Sequence, residues 1–366
     1  MGMARVSARA PVTETFMFTF DFTRLAAIGL TPALLQSLLQ QAQYDATLCR
    51  VSEVQRDVIT VHDGEHEHVC RLGSGVWQAL QADDGIAVGD WALARCDSHG
   101  HWWLLQRFAP AAALLRRDSH GQRQRIASHI DTALLVMGLD GDFNLRRLER
   151  YLSMVQAAGI SPVVVLSKAD QCADPDAAIQ AVRQRIPHCR HVLALNGTDA
   201  ASCGQLAPWL GAGQTLVLLG SSGAGKSTLA NTLLGDTRQH TGAVRAGDSR
   251  GRHTTTARSL HGLPGGGCLI DTPGVRTLQP DLDAGQLADS FDDIQALAAH
   301  CQFRDCRHQQ EPGCAVRDAV DADRLHNYFK LLREAQRGEE SLLQRKARQA
   351  EWKRRSKALR HKQKLE

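Results

Sequence analysis

The spacing of apolar positions changes four times along the chain, and each change predicts a different kind of structure. Residues 1–20 have no clear periodicity and predict a flexible lead. Over 22–42, leucines recur at helical spacing and predict a helix-rich segment. From 46 to 110, β-rich runs at 47–52, 57–62, 67–72, 90–95 and 102–108 are separated by Asp-Gly, Gly-Ser-Gly and Ser-His-Gly turns. Five short strands so closely spaced suit a small β-barrel such as an oligonucleotide-binding (OB) fold; a small sandwich or SH3-like barrel fits almost as well. Beyond 125, unbroken apolar runs at 133–137, 163–167, 192–195, 215–219 and 268–270 alternate with helical stretches, notably 145–158 and 176–186. Strands without polar alternation, separated by helices, predict a largely parallel sheet covered on both faces. After Asp283 the pattern is helical, broken by a cysteine-rich loop at 301–314, and it ends in an Arg/Lys-rich helix.

Composition narrows the class. With 366 residues, 43% hydrophobic and 22% charged, the chain is too long for one core and too apolar for global disorder. No apolar run approaches the ~18 residues of a membrane span, and the N-terminus lacks the continuous apolar stretch of a signal peptide. A soluble, cytoplasmic protein with no membrane partner is expected. Ten cysteines in such a chain are not a secreted disulfide scaffold, so a cluster among them reads as metal ligands. The net charge of +4 hides an asymmetry: residues 344–366 carry ten Lys/Arg against Glu351 and Glu366. A cationic tail on a mildly acidic body attracts polyphosphate surfaces, or is simply a solvated helical end.

The chemistry starts at Gly220-Ser221-Ser222-Gly223-Ala224-Gly225-Lys226-Ser227, which satisfies the P-loop pattern between a strand (215–219) and a helix (228–234, opened by Thr228). Glycines let successive N–H groups turn toward phosphate oxygens, and the helix N-terminus adds positive potential. Lys226 would reach the β- and γ-phosphates, and the Ser227 hydroxyl would ligate Mg²⁺. Upstream, Ser167-Lys168-Ala169-Asp170 follows the buried run Val163-Val164-Val165-Leu166. A carboxylate there accepts both N1–H and N2–H of guanine, a pairing adenine cannot make; Lys168 would lie over the purine and brace the P-loop. Asp271-Thr272-Pro273-Gly274 follows the strand at 268–270, placing Asp271 to hold Mg²⁺ through water and Gly274 to sense the γ-phosphate. Between them, Gly251-Arg252-His253-Thr254-Thr255-Thr256 offers Thr254 or Thr255 as a switch ligand to Mg²⁺. Asn196 and Gly197, after the strand at 192–195, complete the GTP-binding set.

The base-reading segment thus precedes the P-loop, whereas the usual GTPase order places it last. In this permuted order the sequence resembles the ribosome small-subunit-dependent GTPase family (RsgA, also called YjeQ or YloQ) over about residues 45–335. The resemblance implies an N-terminal OB-type β-barrel, an α/β P-loop GTPase domain in circularly permuted order and a C-terminal helical zinc-binding domain. Cys301-x₄-Cys306-x-His308-x₅-Cys314 matches the family's zinc site, and three thiolates with one imidazole make a closed, structural tetrahedral set. The other seven cysteines are expected to be buried small hydrophobes. The expected domains are an extension (1–44), the RNA-binding barrel (45–112), the GTPase (113–282), the zinc domain (283–343) and the basic tail (344–366).

The implied function is GTP hydrolysis controlling a grip on the 30S subunit and its 16S rRNA late in maturation, by a monomer cycling between GTP and GDP. Two positions depart from the usual GTPase pattern. Ser167 replaces the base reader's Asn, removing an amide that braces the loops around guanine. Val275 stands where many GTPases orient water with Gln, leaving His253 as the candidate catalytic group and implying slow intrinsic hydrolysis. Valine also keeps open an assembly factor that uses GTP mainly as a conformational ligand. A P-loop ATPase or nucleotide kinase with an appended barrel is disfavoured by Asp170 and the motif order.

Overall fold

In the computed structural model, which describes residues 4–9, 15–42, 46–55, 58–117, 122–235, 258–271 and 283–339, the chain opens with an antiparallel hairpin of β1 (Ala4–Arg9) and β2 (Thr15–Phe20). This corrects the expectation of a flexible lead. TFMFTF has strong β preference, but its partner ARVSAR is polar, so the hairpin depends on pairing more than on local pattern. Helices α1 (Phe22–Ala26) and α2 (Pro32–Gln41) follow, started by Asp21 and Thr31, whose side chains accept from the N–H groups of Arg24 and Leu34. Their Leu25 and Leu38 pack with Leu48, Trp91 and Phe108.

Those last three residues belong to the barrel region, formed by β3 (Thr47–Gln55), β4 (Val58–His62), β5 (Glu67–Leu72), α3 (Ser74–Ala82), β6 (Trp91–Cys96) and β7 (Trp102–Arg107). β3 pairs with β4 and β6, β5 with β4 and, in parallel, with β7, and β7 with β6. Five strands therefore close on themselves, with a helix between the third and fourth, in the OB manner. Cys49, Val51, Ile59, Val61, Ala92 and Leu104 are buried together in one core cluster of these strands. A second hairpin, β8 (Ala113–Arg117) with β9 (Arg123–Ser128), connects the barrel to the next layer.

That layer contains β10 (Thr132–Gly138), α4 (Leu145–Ala157), β11 (Ser161–Ser167), α5 (Pro175–Arg185), β12 (Val192–Ala194), α6 (Ala200–Cys203), β13 (Thr215–Leu219), α7 (Lys226–Leu234), β14 (Arg258–Gly262) and β15 (Cys268–Asp271). The order β12-β11-β10-β13-β15 is parallel throughout. Successive residues point to opposite faces. Leu134, Val136, Val163 and Leu218 meet Leu229 and Leu233 of α7, while Leu135, Met137, Val164 and Leu219 meet Leu148, Leu152 and Val155 of α4. The departure from a parallel sheet is β14, antiparallel both to β15 and to β3 of the barrel. One sheet thus runs from the parallel strands into the barrel.

At this junction lies Arg50, fully buried, donating to the carbonyls of Gly89 (3.2 Å), His129 (3.2 Å) and Ile28 and to Thr215 Oγ1 (3.0 Å). Its guanidinium also stands 5.4 Å from the Trp91 ring centre. One planar cation thereby ties the barrel, the α1–α2 segment, the connection before β10 and the strand leading to the P-loop.

The chain divides into two compact units, 1–280 and 281–366. Described residues of the second form α8 (Ala284–Ser290), α9 (Asp292–Ala298), α10 (Ala315–Ala319) and α11 (Ala322–Glu339). Asp283 and Gln286 make a capping box at α8. Phe291, Ile294, Leu325 and Tyr328 are buried. Of the seven cysteines outside the cluster, five are buried as expected, but Cys96 is exposed and Cys172 half-buried. Cys96 ends β6 at a turn, and Cys172 follows the short turn at 169–171. Among the described residues, no helix is long and apolar enough to cross a membrane.

Candidate nucleotide site and metal centre

The predicted binding segments gather at the carboxyl ends of the parallel strands, where open α/β sheets place their ligands. β13 delivers the loop at 220–225, and α7 begins at Lys226. Two glycines are required by the packing. A Cβ on Gly220 would stand 2.2 Å from the Val136 carbonyl oxygen, and Gly225, at φ +88°, has the Ser167 hydroxyl 3.3 Å from where its Cβ would be. Ser222, Gly223 and Ser227 are exposed, leaving this face of the loop open to a ligand. Lys226 is buried and donates to the carbonyls of Gly220 (2.9 Å) and Ser221 (2.6 Å). Burial lowers its pKa, while Asp271 and Asp142 act in the opposite direction. Asp271 is itself buried at the end of β15.

Ser167 corrects an expectation. Its buried hydroxyl donates to the Ala224 carbonyl (2.6 Å), so β11 and the P-loop are braced without the missing amide. Lys168, in the left-handed region at φ +58°, pairs with Asp140 instead. That contact holds the Asp140 carboxyl below its usual range. Asp170 is exposed on a 3₁₀ turn, Ala169–Gln171, which hydrogen-bonds through the Ala169 N–H to the Leu195 carbonyl (3.3 Å). Asn196 Oδ1 accepts from the N–H (3.0 Å) and hydroxyl (2.8 Å) of Thr198, and the Gly197 carbonyl accepts from Thr232 of α7 (2.7 Å). The loop after β12 is thus stitched to the helix after the P-loop. His253, Thr254, Thr255 and Gly274 lie outside the described residues, as do Thr272, Pro273, Val275 and the tail at 344–366.

The motifs did not point to Asp140, Asp142 and Arg147. Asp142 accepts from the Ser221 hydroxyl and pairs with Arg147 of α4. The available signal was an Asp-Gly-Asp turn one residue after a fully buried strand.

In the second unit, the ligand atoms of Cys301, Cys306, His308 and Cys314 all lie within 4.8 Å of one another. His308 Nδ1 is 3.5 Å from both Cys301 Sγ and Cys314 Sγ. Glu311 shapes the intervening loop by accepting from the N–H groups of Arg307 (3.1 Å), Gln309 (2.9 Å) and Gln310 (3.1 Å). Soft sulfur donors converging with one imidazole fit a metal ion, which these four side chains would hold.

Comparison with known proteins agrees with this geometry. A family model described as RsgA GTPase matches residues 108–281. A Xylella fastidiosa (strain 9a5c) protein named small ribosomal subunit biogenesis GTPase RsgA is 50% identical over 289 residues, covering 77% of this chain and 84% of its own length. The chain belongs to the RsgA GTPase family. An RsgA of the same name from Xanthomonas oryzae pv. oryzae (strain PXO99A) is 47% identical over 279 residues, covering 71% of this chain and 77% of its own. Two solved structures share the fold. YjeQ from Thermotoga maritima has a TM-score of 0.58 at 21% identity, spanning 79% of this chain and 98% of that one. YloQ, described as a circularly permuted GTPase, has a TM-score of 0.56 at 22% identity, spanning 82% and 100%. As an RsgA GTPase this chain is a GTP hydrolase, built in the permuted order its motifs announced.

Proposed function

We propose that the chain hydrolyses GTP while bound to the small (30S) ribosomal subunit, that it acts late in subunit maturation, and that the subunit stimulates turnover. The observation carrying this reading is that a complete phosphate loop and base-reading segment share one sheet with an OB-type barrel. On that barrel His68 stacks on Trp102 at 4.0 Å, and the Arg71 guanidinium stands 5.9 Å from the Trp103 ring centre. Aromatic faces next to a cation suit unpaired bases of 16S rRNA. The relatives' name supplies the ribosomal context.

Within the site, Asp170 reads guanine, Lys226 and the loop N–H groups hold the β- and γ-phosphates, and Ser227, Asp271 and Thr254 or Thr255 complete the Mg²⁺ shell. Mg²⁺ would supply charge neutralisation between the phosphates. His253 orients the attacking water in place of the side chain that Val275 lacks. GTP turnover titrated with isolated 30S and 50S subunits tests the proposal. Turnover is expected to rise at least about tenfold with 30S alone, and His253→Ala to remove most of that increment. No response to 30S would refute the subunit role. An unchanged increment in the variant would refute only the histidine's.

The Cys301, Cys306, His308 and Cys314 set takes zinc, one per chain, as a structural ion. A closed set of this type contributes on the order of 10 kcal/mol to folding its surroundings. Native mass spectrometry is expected to find one zinc per chain. Chelation or Cys306→Ser is expected to melt the second unit while GDP binding persists. Retention of its helical signal without metal would contradict the assignment.

A further inference from the structure

The loop joining β10 to α4, residues 139–144, holds two carboxylates that the motif pattern leaves unused, and both are engaged with the nucleotide machinery. Asp140 pairs with the base-reading Lys168. Asp142 accepts from the side chain of Ser221, second residue of the phosphate loop, and is held by Arg147. The loop is built for this. The Asp140 carboxylate accepts from the Asp142 N–H (3.1 Å), and Asn144 starts α4 by accepting from the Arg147 N–H (3.0 Å), fixing both ends of the Asp142–Arg147 pair. At Gly138 a Cβ would stand 2.7 Å from the Asp140 carboxylate, so a side chain there would push that carboxylate from its place. The side chains of Asp142 and Arg147 remain 19% and 31% exposed, so their charges act in a partly screened setting.

A fixed negative charge on a loop that receives a polyphosphate opposes the ligand it serves. Arg147 offsets it, and the Ser221 hydroxyl gives it a mechanical hold on the loop. We propose that Asp142 is a positioning residue that grips the phosphate loop through Ser221 and whose charge, balanced by Arg147, shortens the residence of phosphate-bearing nucleotides. This rests on the guanine-nucleotide reading of the site. Its consequence is a GTPase that exchanges GDP for GTP quickly by its own composition.

The test is release of fluorescent GDP from the full chain by stopped flow, beside guanosine affinity by calorimetry. Asp142→Asn keeps an acceptor for Ser221 and removes the charge; release is expected to slow about tenfold at low salt and by under about threefold in 1 M salt. Arg147→Gln leaves the carboxylate unbalanced, and release is expected to quicken about tenfold. Guanosine, which carries no phosphate, is expected to bind both variants within about twofold of the parent. In a Ser221→Ala background the Asp142→Asn effect is expected to shrink, because the grip is gone. If Asp142→Asn instead quickens GDP release and weakens guanosine in proportion, Asp142 is scaffolding and the proposal fails. Unchanged release in Asp142→Asn also overturns it. A parent chain that binds neither GDP nor guanosine would show that the nucleotide reading itself is at fault.

Discussion

Replacing Asp170 by Asn is expected to exchange the base preference of the enzyme from guanine to xanthine. Guanine presents two donors side by side, N1–H and N2–H, and a carboxylate offers two acceptors to match. Asparagine offers one acceptor and one donor, so its amide N–H would face a guanine N–H. Xanthine carries a carbonyl at that position and restores the match. Sites built on paired polar contacts discriminate strongly, because the wrong partner leaves groups unsatisfied on both sides, and a loss of about 100- to 1,000-fold in GDP affinity is expected. Competition of GDP and XDP for a fluorescent nucleotide measures it. The exposed position of Asp170 on its short turn means the substitution disturbs no core packing. A variant that still preferred GDP would remove Asp170 from the base site.

Arg50→Ala is expected to cause the largest loss of stability. Its guanidinium satisfies the carbonyls of Ile28, Gly89 and His129 and the Thr215 hydroxyl. Truncation leaves three buried acceptors and one half-buried one without this donor and opens a cavity among them. Burial itself lowers the Arg50 pKa, so desolvation has been tolerated for the sake of these bonds. Losses of this kind run to about 3–5 kcal/mol, which for a unit of this size is of the order of 10 °C in melting midpoint. Arg50→Lys is expected to recover little, since a point charge cannot span four acceptors in a plane. Calorimetry separates two outcomes. If Arg50 couples the barrel to the nucleotide layer, the variant melts in two steps and GDP protects only one of them. A single transition at the parent's midpoint would contradict this role.

Legibility from the sequence followed how local each signal was. The five parallel strands were visible to within a residue or two, because strands covered on both faces are unbroken runs such as VVVL and TLVLL. The P-loop and the cysteine–histidine cluster were equally visible, since their members lie within a few residues of each other. β14 was not, because RSLHG is polar and only half-buried, and its strand character comes from neighbours on both sides. The Gly-Ser-Gly at 73–75 read as a turn, yet it opens α3. Ser167 looked like a lost function; only its approach to Ala224, 57 residues away, shows the brace. Asp142 is likewise uninformative until the fold sets it beside Ser221, 79 residues on.

The strand that joins the two layers also limits how the protein can be divided. β14 is hydrogen-bonded along one flank to β15 and along the other to Val54 and Glu53 of β3. Cutting the chain after residue 112 would strip that second flank and leave β14 as a bare edge strand, a ready template for other copies. The barrel therefore shields its neighbour from self-association as well as carrying its own surface, and the pair is expected to be portable as one piece but not as two.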